Sequence, residues 1–316
     1  MKTYKVVSLF CGAGGLDIGF SRAGFNTIWA NDNCKAACET FKLWSPTTEV
    51  VCAPIDKIPL SSIPDCDVIL GGFPCQGFST MGCRRVDDPR NKLYLNYVEI
   101  VKRKQPLAFV GENVKGLLSM NGGQTFLKII EDFASCGYKI YYKLMNARYF
   151  NVPQDRKRVI IVGLRKDIDV PYFKYPKPCD KLITIAEALK DFPEPSLSDV
   201  QPLIPTRVTK RYMQRNKRRD WNDVSFTIQA HENSIPLHPS SPDMILLKKG
   251  YCRFGDGVSR RFSYQECAAL QTFPRNMKIC GNSLRSKYRQ VGNAVPCNLA
   301  EAIAHSLYDC LIHAGK

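Results

Sequence analysis

The chain lacks any C-x-x-C pair, although fourteen cysteines occur in its 316 residues. That absence excludes a zinc knuckle and a thioredoxin-like motif, so we expect no metal site and free thiols in a reducing compartment. No apolar run approaches the roughly 18 residues that a membrane helix needs, and no signal-peptide pattern precedes the first strand-like segment. These absences predict an intracellular, cytoplasmic protein that has no membrane contact.

Acidic residues are few in comparison with basic ones. The chain has 29 Asp and Glu against 45 Lys and Arg, a formal charge of +16 and a pI near 9.3. Such a balance favours a polyanionic partner, and nucleic acid is the leading candidate, although a solvated basic face is a common alternative.

Short β-branched runs alternate with segments of helical period in the first half of the chain. Strands are predicted at residues 5–10, 27–30, 67–70, 107–110 and 158–162, and helices at residues 15–23 and from Leu93 through Tyr97 to Val101. This alternation predicts an α/β fold built from parallel βαβ units.

Prolines divide the rest of the chain. Their density forbids long helices and central strands over residues 168–260, where we expect a smaller, irregular domain. Helical period returns at residues 264–273 and again at 295–311, and the last helix is expected to pack back on the first domain. The predicted domains are therefore 1–167 and 168–260, with 261–316 as a return segment that completes the first.

One cysteine lies on a polar loop directly after a predicted strand. The sequence G-G-F-P-C-Q-G-F-S occupies residues 71–79 and follows the apolar run 68–70. Open α/β sheets bind ligands at the carboxyl ends of their strands, so Cys75 is placed to react. A small core residue is the alternative for a cysteine, but Pro74, Gln76 and Ser79 favour an accessible loop.

Glycines form the first strand-to-helix turn, F-C-G-A-G-G-L at residues 10–16. They let a ligand approach the main chain, although an ordinary turn between strand and helix would use them too. A dinucleotide fingerprint requires glycine at position 17, where the carboxylate of Asp17 would oppose a pyrophosphate. A cofactor without phosphates, S-adenosylmethionine, is therefore the better fit.

Two carboxylates follow predicted strands. Asp32 lies where the second strand of such folds binds ribose hydroxyls, with a helix N-cap as the alternative. Glu112 follows the strand at 107–110, in the same crevice as Cys75. If Glu112 faces an apolar site, its pKa is raised and it can donate a proton; otherwise it caps the next helix.

Two arginines enter a later strand in the sequence Q-D-R-K-R at residues 154–158. Alternate residues of a strand face the same side, so Arg156 and Arg158 are expected to point together. Arginine suits planar oxygen acceptors, although charged strand entry on a solvent face is the alternative.

In their order and spacing these segments resemble the cytosine-C5 DNA methyltransferase family from about residue 5 onward. The resemblance is carried by F-C-G-A-G-G, P-C-Q, E-N-V, Q-x-R-x-R and the closing G-N-A-V-P at residues 292–296. It implies a doubly wound, Rossmann-like S-adenosylmethionine-dependent methyltransferase domain with a smaller, irregular target-recognition domain. It also implies that the protein methylates carbon 5 of a flipped cytosine in a short duplex DNA site.

The resemblance also implies roles for individual residues. Cys75 would add to the cytosine, Glu112 would contact ring N3, Arg158 would hold O2, and Arg156 would complete the catalytic set. The implied cofactor residues are Phe10, Gly12, Gly14, Gly15, Leu16, Asp32, Asn33, Ile55, Pro74, Leu93, Asn293 and Val295. The implied DNA contacts are Gln76, Ser79, Arg207, Arg211, Arg215, Arg218 and Arg219. One departure is Pro54-Ile55, where the family has Asp-Ile; Asp56 stands two residues later.

Two alternatives remain open: a tRNA cytosine methyltransferase on the same fold, and a non-enzymatic DNA-binding regulator. The long proline-rich region favours a DNA reader, and an intact set of catalytic residues favours an enzyme. Residues 221–230 and 237–239 are similar to restriction-modification members, some of them specific for GGCC. We accordingly expect a compact bacterial enzyme that acts as a monomer, with a cognate restriction endonuclease that is not a physical partner.

Overall fold

The computed structural model of the protein describes residues 2–74, 93–170, 172–203, 218–248 and 251–312. The chain divides into two compact units. The first comprises Met1–Asn146, Lys157–Lys177 and Cys297–Lys316, and the second comprises Ala147–Arg156 and Pro178–Pro296. This grouping differs from the expected boundaries, because residues 147–156 and 261–296 belong to the second unit and residues 168–177 belong to the first.

A seven-stranded sheet in the order β3-β2-β1-β4-β5-β7-β6 forms the centre of the first unit. The strands are β1 (Tyr4–Leu9), β2 (Phe25–Asp32), β3 (Glu49–Cys52), β4 (Val68–Gly71), β5 (Ala108–Val114), β6 (Tyr138–Asn146) and β7 (Lys157–Arg165). Strands β1 to β5 pair in parallel, as predicted. The expectation of a wholly parallel sheet is wrong at β7, which runs antiparallel to both neighbours. The segment between β6 and β7 is shorter than the dozen or so residues that a parallel crossover needs.

Helices cover this sheet. They are α1 (Gly15–Arg22), α2 (Lys35–Trp44), α3 (Leu93–Lys104), α4 (Gln124–Ser135) and α8 (Cys297–Ile312). The prediction that the last helix joins the first domain is confirmed, because α8 packs on α1. A Cβ atom at Gly19 would lie 2.5 Å from the Cβ of Ala300, so this close packing requires glycine.

Aromatic rings pack beside β4 and β5. Phe109 and Phe133 stack with ring centroids 4.4 Å apart, and Tyr97 meets Phe133 edge-on at 5.4 Å. The fully buried Tyr97 hydroxyl donates to the carbonyl of Val110 at 2.9 Å. This hydrogen bond ties α3 to β5, so the strand lies against a tightly packed layer. In the described part of the chain, no helix is both long and apolar enough to span a membrane.

The second unit has short elements separated by irregular chain. Its helices are α5 (Ile185–Leu189), α6 (Tyr264–Leu270) and α7 (Leu284–Asn293), and β8 (Ile245–Lys248) pairs with β9 (Tyr251–Arg253) as a hairpin. Both α5 and α6 begin with a capping box, at Thr184 and Ser263. These caps accept hydrogen bonds from main-chain amides of the first turn, which have no partner inside the helix. Such amides make up a large share of a short helix.

Candidate active site

The glycine turn after β1 is held in a left-handed conformation. Phe10, Gly12 and Gly14 have φ values of 53°, 55° and 84°. A Cβ on Gly12 would meet no atom within 4 Å, whereas one on Gly14 would lie 3.0 Å from the Phe41 ring. Gly12 is therefore the position where the turn opens to a ligand, and Gly14 is required by packing and by its φ angle. Gly15 and Leu16 follow as buried residues of α1.

Asp32, at the end of β2, binds this turn. Its Oδ2 accepts a hydrogen bond from the Gly12 amide at 2.9 Å, and its Oδ1 accepts one from the Cys34 amide at 2.8 Å. The second bond holds the chain before α2, but the N-cap of α2 is Cys34, so the alternative that Asp32 caps this helix is wrong. The carboxylate is half-buried beside the open face of Gly12, where a ribose hydroxyl could reach it, and Asn33 next to it is exposed.

The Asp17 side chain was expected to face the ligand side of the turn, but it does not. It is fully buried, and its carboxylate accepts hydrogen bonds from the Ser8 hydroxyl at 3.0 Å and the Thr27 hydroxyl at 2.9 Å. Burial raises the pKa of Asp17 to about 6, although both hydroxyls act in the opposite direction. The expected repulsion between Asp17 and a pyrophosphate is therefore wrong, because this carboxylate points into the core, where it ties α1 to β1 and β2.

The segment after β3 lies beside the end of β2. The buried amide of Asn31 donates to the carbonyls of Val51 at 2.9 Å and Ala53 at 2.8 Å. Ile55 follows in a short 3-10 turn, with 5% of its surface exposed. Asp56, the possible substitute for the family's missing acid, has a side chain that is 52% exposed and lies 3.9 Å from Lys57.

Glu112, on β5, forms an ion pair with Arg158, on β7. The Arg158 Nε lies 2.8 Å from Glu112 Oε1, and the two side chains are 12% and 10% exposed. Burial lowers the pKa of Arg158, and the adjacent Glu112 acts in the opposite direction. The expectation that Glu112 faces an apolar site is therefore wrong, because a guanidinium stands next to its carboxylate.

The chain that enters the cysteine loop passes the same carboxylate. A Cβ on Gly72 would lie 3.2 Å from Glu112 Oε2, so glycine permits this approach. The buried Asn113 amide donates to the Phe73 carbonyl at 2.9 Å, and Pro74 follows, half-buried. Cys75, Gln76 and Ser79 lie outside the described residues. The structure thus brings Glu112, Arg158 and the main chain at residues 72–74 together at the ends of β4, β5 and β7.

Arg156 has different surroundings. It precedes β7, belongs to the second unit and has no exposed surface. Its guanidinium donates to the carbonyls of Ile228 at 2.9 Å, Gly292 at 2.8 Å and Ala294 at 2.9 Å. The expectation that Arg156 and Arg158 point together is wrong, because Arg156 lies outside the strand and its guanidinium holds the main chain of the second unit.

Three further predicted cofactor residues are described. Leu93 begins α3 and is half-buried, Asn293 ends α7 and is exposed, and Val295 is buried in the second unit. Their contact with a cofactor remains a prediction.

Arg218 and Arg219 are the two described arginines of the cation-rich segment at residues 207–219, the basic run, and both are engaged within the protein. Arg218 donates to the Pro239 carbonyl at 3.1 Å and lies 2.5 Å from Asp243 and 3.4 Å from Asp220. Arg219 pairs with Asp223 through both carboxylate oxygens at 3.0 Å and lies over the Phe226 ring, 4.3 Å from its centroid. Arg207, Arg211 and Arg215 lie outside the described residues. Arg218 and Arg219 thus anchor the end of the run, contrary to a role as free DNA-reading cations.

The buried Asn31, Asn113 and Tyr97 were not predicted from the sequence to have a role in the site. Each asparagine is adjacent to a predicted site carboxylate at a strand end, and that adjacency was the available signal. The spacing of Tyr97 placed it on the apolar face of a helix. That spacing does not show that its hydroxyl donates a hydrogen bond to β5.

Comparison with known proteins decides the family. Residues 4–309 match the family of C-5 cytosine-specific DNA methylases. The chain belongs to this family. It is 40% identical over 321 residues to the Type II methyltransferase M.MthTI of Methanothermobacter thermautotrophicus, with 96% of each chain covered. It is 39% identical over 351 residues to the Type II methyltransferase M.BsuRI of Bacillus subtilis, with 98% of this chain and 80% of the relative covered.

Solved structures support the fold. A DNA modification methyltransferase encoded within an E. coli prophage has a TM-score of 0.74 at 23% identity, covering 98% of this chain and 99% of that one. Spodoptera frugiperda DNMT2 has the same TM-score at 17% identity, covering 96% of this chain and 99% of that one. The resemblance found in the sequence is therefore confirmed: the chain belongs to the cytosine-C5 DNA methyltransferase family and has a Rossmann-like α/β domain.

Proposed function

We propose that this methyltransferase uses S-adenosylmethionine to methylate carbon 5 of a flipped cytosine in a short duplex DNA site, through a covalent bond to Cys75. The observation that carries the proposal is the Glu112–Arg158 ion pair at 2.8 Å beside the main chain that leads into Cys75. It combines a carboxyl group and a guanidinium where a planar base edge can be bound, and the main chain beside it at residues 72–74 leads in sequence to Cys75.

The residues around Gly12 fit the cofactor. The open space at Gly12 and the Asp32 carboxylate beside it suit a ribose, and Asp17 is turned away into the core. When bound, S-adenosylmethionine supplies an electrophilic methyl group on a sulfonium. Phe10, Gly12, Asp32 and Ile55 are the residues of the first unit that we expect to hold it, with Asn33, Pro74 and Leu93 at the edges.

The chemistry of cytosine explains the other residue types. Carbon 5 is a weak nucleophile, and addition of the Cys75 thiolate to carbon 6 makes it electron-rich. Glu112 would hydrogen-bond or protonate ring N3, and Arg158 would bind O2, so that the charge that develops in the ring is stabilised. After carbon 5 is methylated, loss of its proton and expulsion of Cys75 restore the ring.

The target cytosine must leave the base stack before this chemistry can occur. Methyltransferases flip the nucleotide out of the duplex, which costs a few kcal/mol. Backbone contacts have to offset that cost, and the overall charge of +16 is suited to this. Gln76, Ser79, Arg207, Arg211 and Arg215 are the proposed DNA contacts, and the second unit is the proposed target-recognition domain. A restriction endonuclease of the same specificity would be the functional counterpart.

Methyl transfer assayed in parallel on duplex DNA and tRNA tests the proposal. Transfer to DNA alone is expected; transfer to tRNA would favour the RNA enzyme, and transfer to neither would favour a regulator. Duplex containing 5-fluorocytosine should trap the wild-type protein, because fluorine cannot leave as a proton does. Cys75→Ser should abolish transfer and trapping but keep DNA binding, since a hydroxyl is much less nucleophilic. Cys52→Ser, at an exposed cysteine, is the control.

A further inference from the structure

Two buried asparagines occupy equivalent places in the first unit. Asn31 lies at the end of β2 and Asn113 at the end of β5, with 1% and 4% of their surfaces exposed. Each uses its side-chain amide to bind main-chain carbonyls in or just after a neighbouring strand: Val51 within β3 and Ala53 after it, and Phe73 after β4. A buried carbonyl needs a donor, so these amides affect where the chain runs.

The two amides hold different segments. Asn31 Nδ2 donates to Val51 at 2.9 Å and Ala53 at 2.8 Å, two residues before Ile55. Asn113 Nδ2 donates to the Phe73 carbonyl at 2.9 Å, two residues before Cys75. One segment leads to the proposed cofactor contact, and the other leads to the proposed nucleophile.

The orientation of the Asn113 amide is set by a second bond. Its Oδ1 accepts from the Val114 amide at 2.9 Å, which leaves Nδ2 directed at Phe73. The Phe73 ring is buried against Tyr97, 5.9 Å between centroids. Packing thus holds the ring and Asn113 holds the carbonyl, so that together they fix the direction in which the chain leaves toward Cys75.

We propose that Asn31 and Asn113 are positioning residues that control the two reactants separately: Asn31 sets the cofactor side of the site, and Asn113 sets the nucleophile. This inference rests on the proposed function. Because the amides act on different segments, loss of one should leave the other half of the site in place. Asp32 and Glu112, the adjacent carboxylates, keep their own partners in Gly12 and Arg158.

Asn113→Ala and Asn31→Ala test the proposal, and each variant is the matched control of the other. Two quantities are measured: cofactor affinity by calorimetry, and the rate of covalent trapping on 5-fluorocytosine duplex at saturating cofactor. Asn113→Ala should slow trapping about tenfold or more, with cofactor affinity within twofold of wild type. Asn31→Ala should weaken cofactor binding about tenfold, with trapping unchanged at saturation. These sizes follow from a buried carbonyl that loses its donor.

Asn113→Asp addresses the case in which the alanine variant does not fold. Aspartate keeps the shape and the acceptor for Val114 but removes the donor to Phe73, so trapping should again be slow. Trapping at the wild-type rate in Asn113→Asp, or an equal loss of both quantities in each alanine variant, would overturn the separate positioning roles. Failure of the wild-type protein to trap at all would overturn the proposed function as well, so the two failures are distinguishable.

Discussion

Arg156 and Arg158 are two positions apart in the chain, yet their guanidiniums have different partners. Arg158 faces the Glu112 carboxylate at 2.8 Å, at the ends of the strands of the first unit. Arg156 binds three main-chain carbonyls of the second unit. The same pattern recurs in the second unit, where main-chain carbonyls also accept from Arg218, Arg260, Arg261 and Arg275.

Regular structure explains part of this difference. In the first unit the strand ladders satisfy most main-chain carbonyls. Arg158 and Arg165 each donate to one carbonyl, of Lys157 and Gln105, and also pair with a carboxylate. The second unit is largely irregular, and its buried carbonyls need other donors. A guanidinium offers five. Many of the described arginines thus bind groups of the protein itself, so the formal charge of +16 overstates how many cations are available to DNA.

Glu112→Gln is expected to have the largest effect, because it disrupts the site in the first unit. Glu112→Gln keeps the size of the side chain but removes the charge and the transferable proton, so single-turnover methyl transfer should fall by about 10²- to 10⁴-fold. Thermal unfolding should change little, because the amide oxygen can still accept from Arg158. Glu99→Gln, at the exposed Glu99–Arg103 pair, should leave transfer unchanged. A rate within tenfold of wild type would remove Glu112 from the catalytic set.

Arg156→Ala tests the other side of the comparison. Three buried carbonyls lose their donor at about 1 to 3 kcal/mol each, so urea unfolding should show a loss of at least about 3 kcal/mol. Arg103→Ala, at a side chain that is 68% exposed, should cost less than about 1 kcal/mol. A variant that keeps its stability but loses methyl transfer would restore the catalytic role predicted from the sequence.

Asp17→Asn tests how the first unit buries a charge. The pKa of Asp17 is raised from 3.8 to about 6 in the folded protein, so the folded state binds the proton more tightly. Its contribution to stability is complete below pH 3.8 and is lost as the pH rises through 6, a difference of about 3 kcal/mol. Urea unfolding from pH 4 to 7 should show that this dependence is absent in Asp17→Asn. Asp65→Asn, at a carboxylate that is 90% exposed, should retain it.

Asp32→Ala sharpens the cofactor assignment within the same unit. Loss of charge-assisted hydrogen bonds to ribose should weaken S-adenosylmethionine binding by about 1.5 to 3 kcal/mol in calorimetry. Asp56→Ala is the comparison variant, because Asp56 is the other acid that the family pattern leaves open. A loss confined to Asp56→Ala would move the acidic contact to that residue.

The first unit was the more predictable because its residues follow strand periodicity. Each predicted strand was found, and Asp32 and Glu112 lie at strand ends, since the position of a residue on a strand fixes where its side chain emerges. Asp17 was misjudged because burial between Ser8 and Thr27 is a tertiary arrangement that no local spacing encodes. β7 was expected to be parallel, but its direction is set by the short connection from β6, which strand periodicity does not show. In the second unit, the family resemblance and the density of cations implied Arg218 and Arg219 as DNA contacts, and neither contains information about the carboxylates they meet.

Arg218→Ala should give the smallest effect and tests that last point directly. If Arg218 contacted phosphate as a free cation, its removal would make the salt dependence of DNA binding shallower by roughly 0.9. Its charge is already opposed by Asp243 at 2.5 Å and Asp220 at 3.4 Å, so we expect a clearly smaller change and less than about 1 kcal/mol of stability. Arg211→Ala, in the same run, is the comparison and should show the full change if it binds phosphate. A loss of about 1 to 3 kcal/mol in Arg218→Ala on the preferred site alone would instead make Arg218 a base-reading residue, released from its acids when DNA binds.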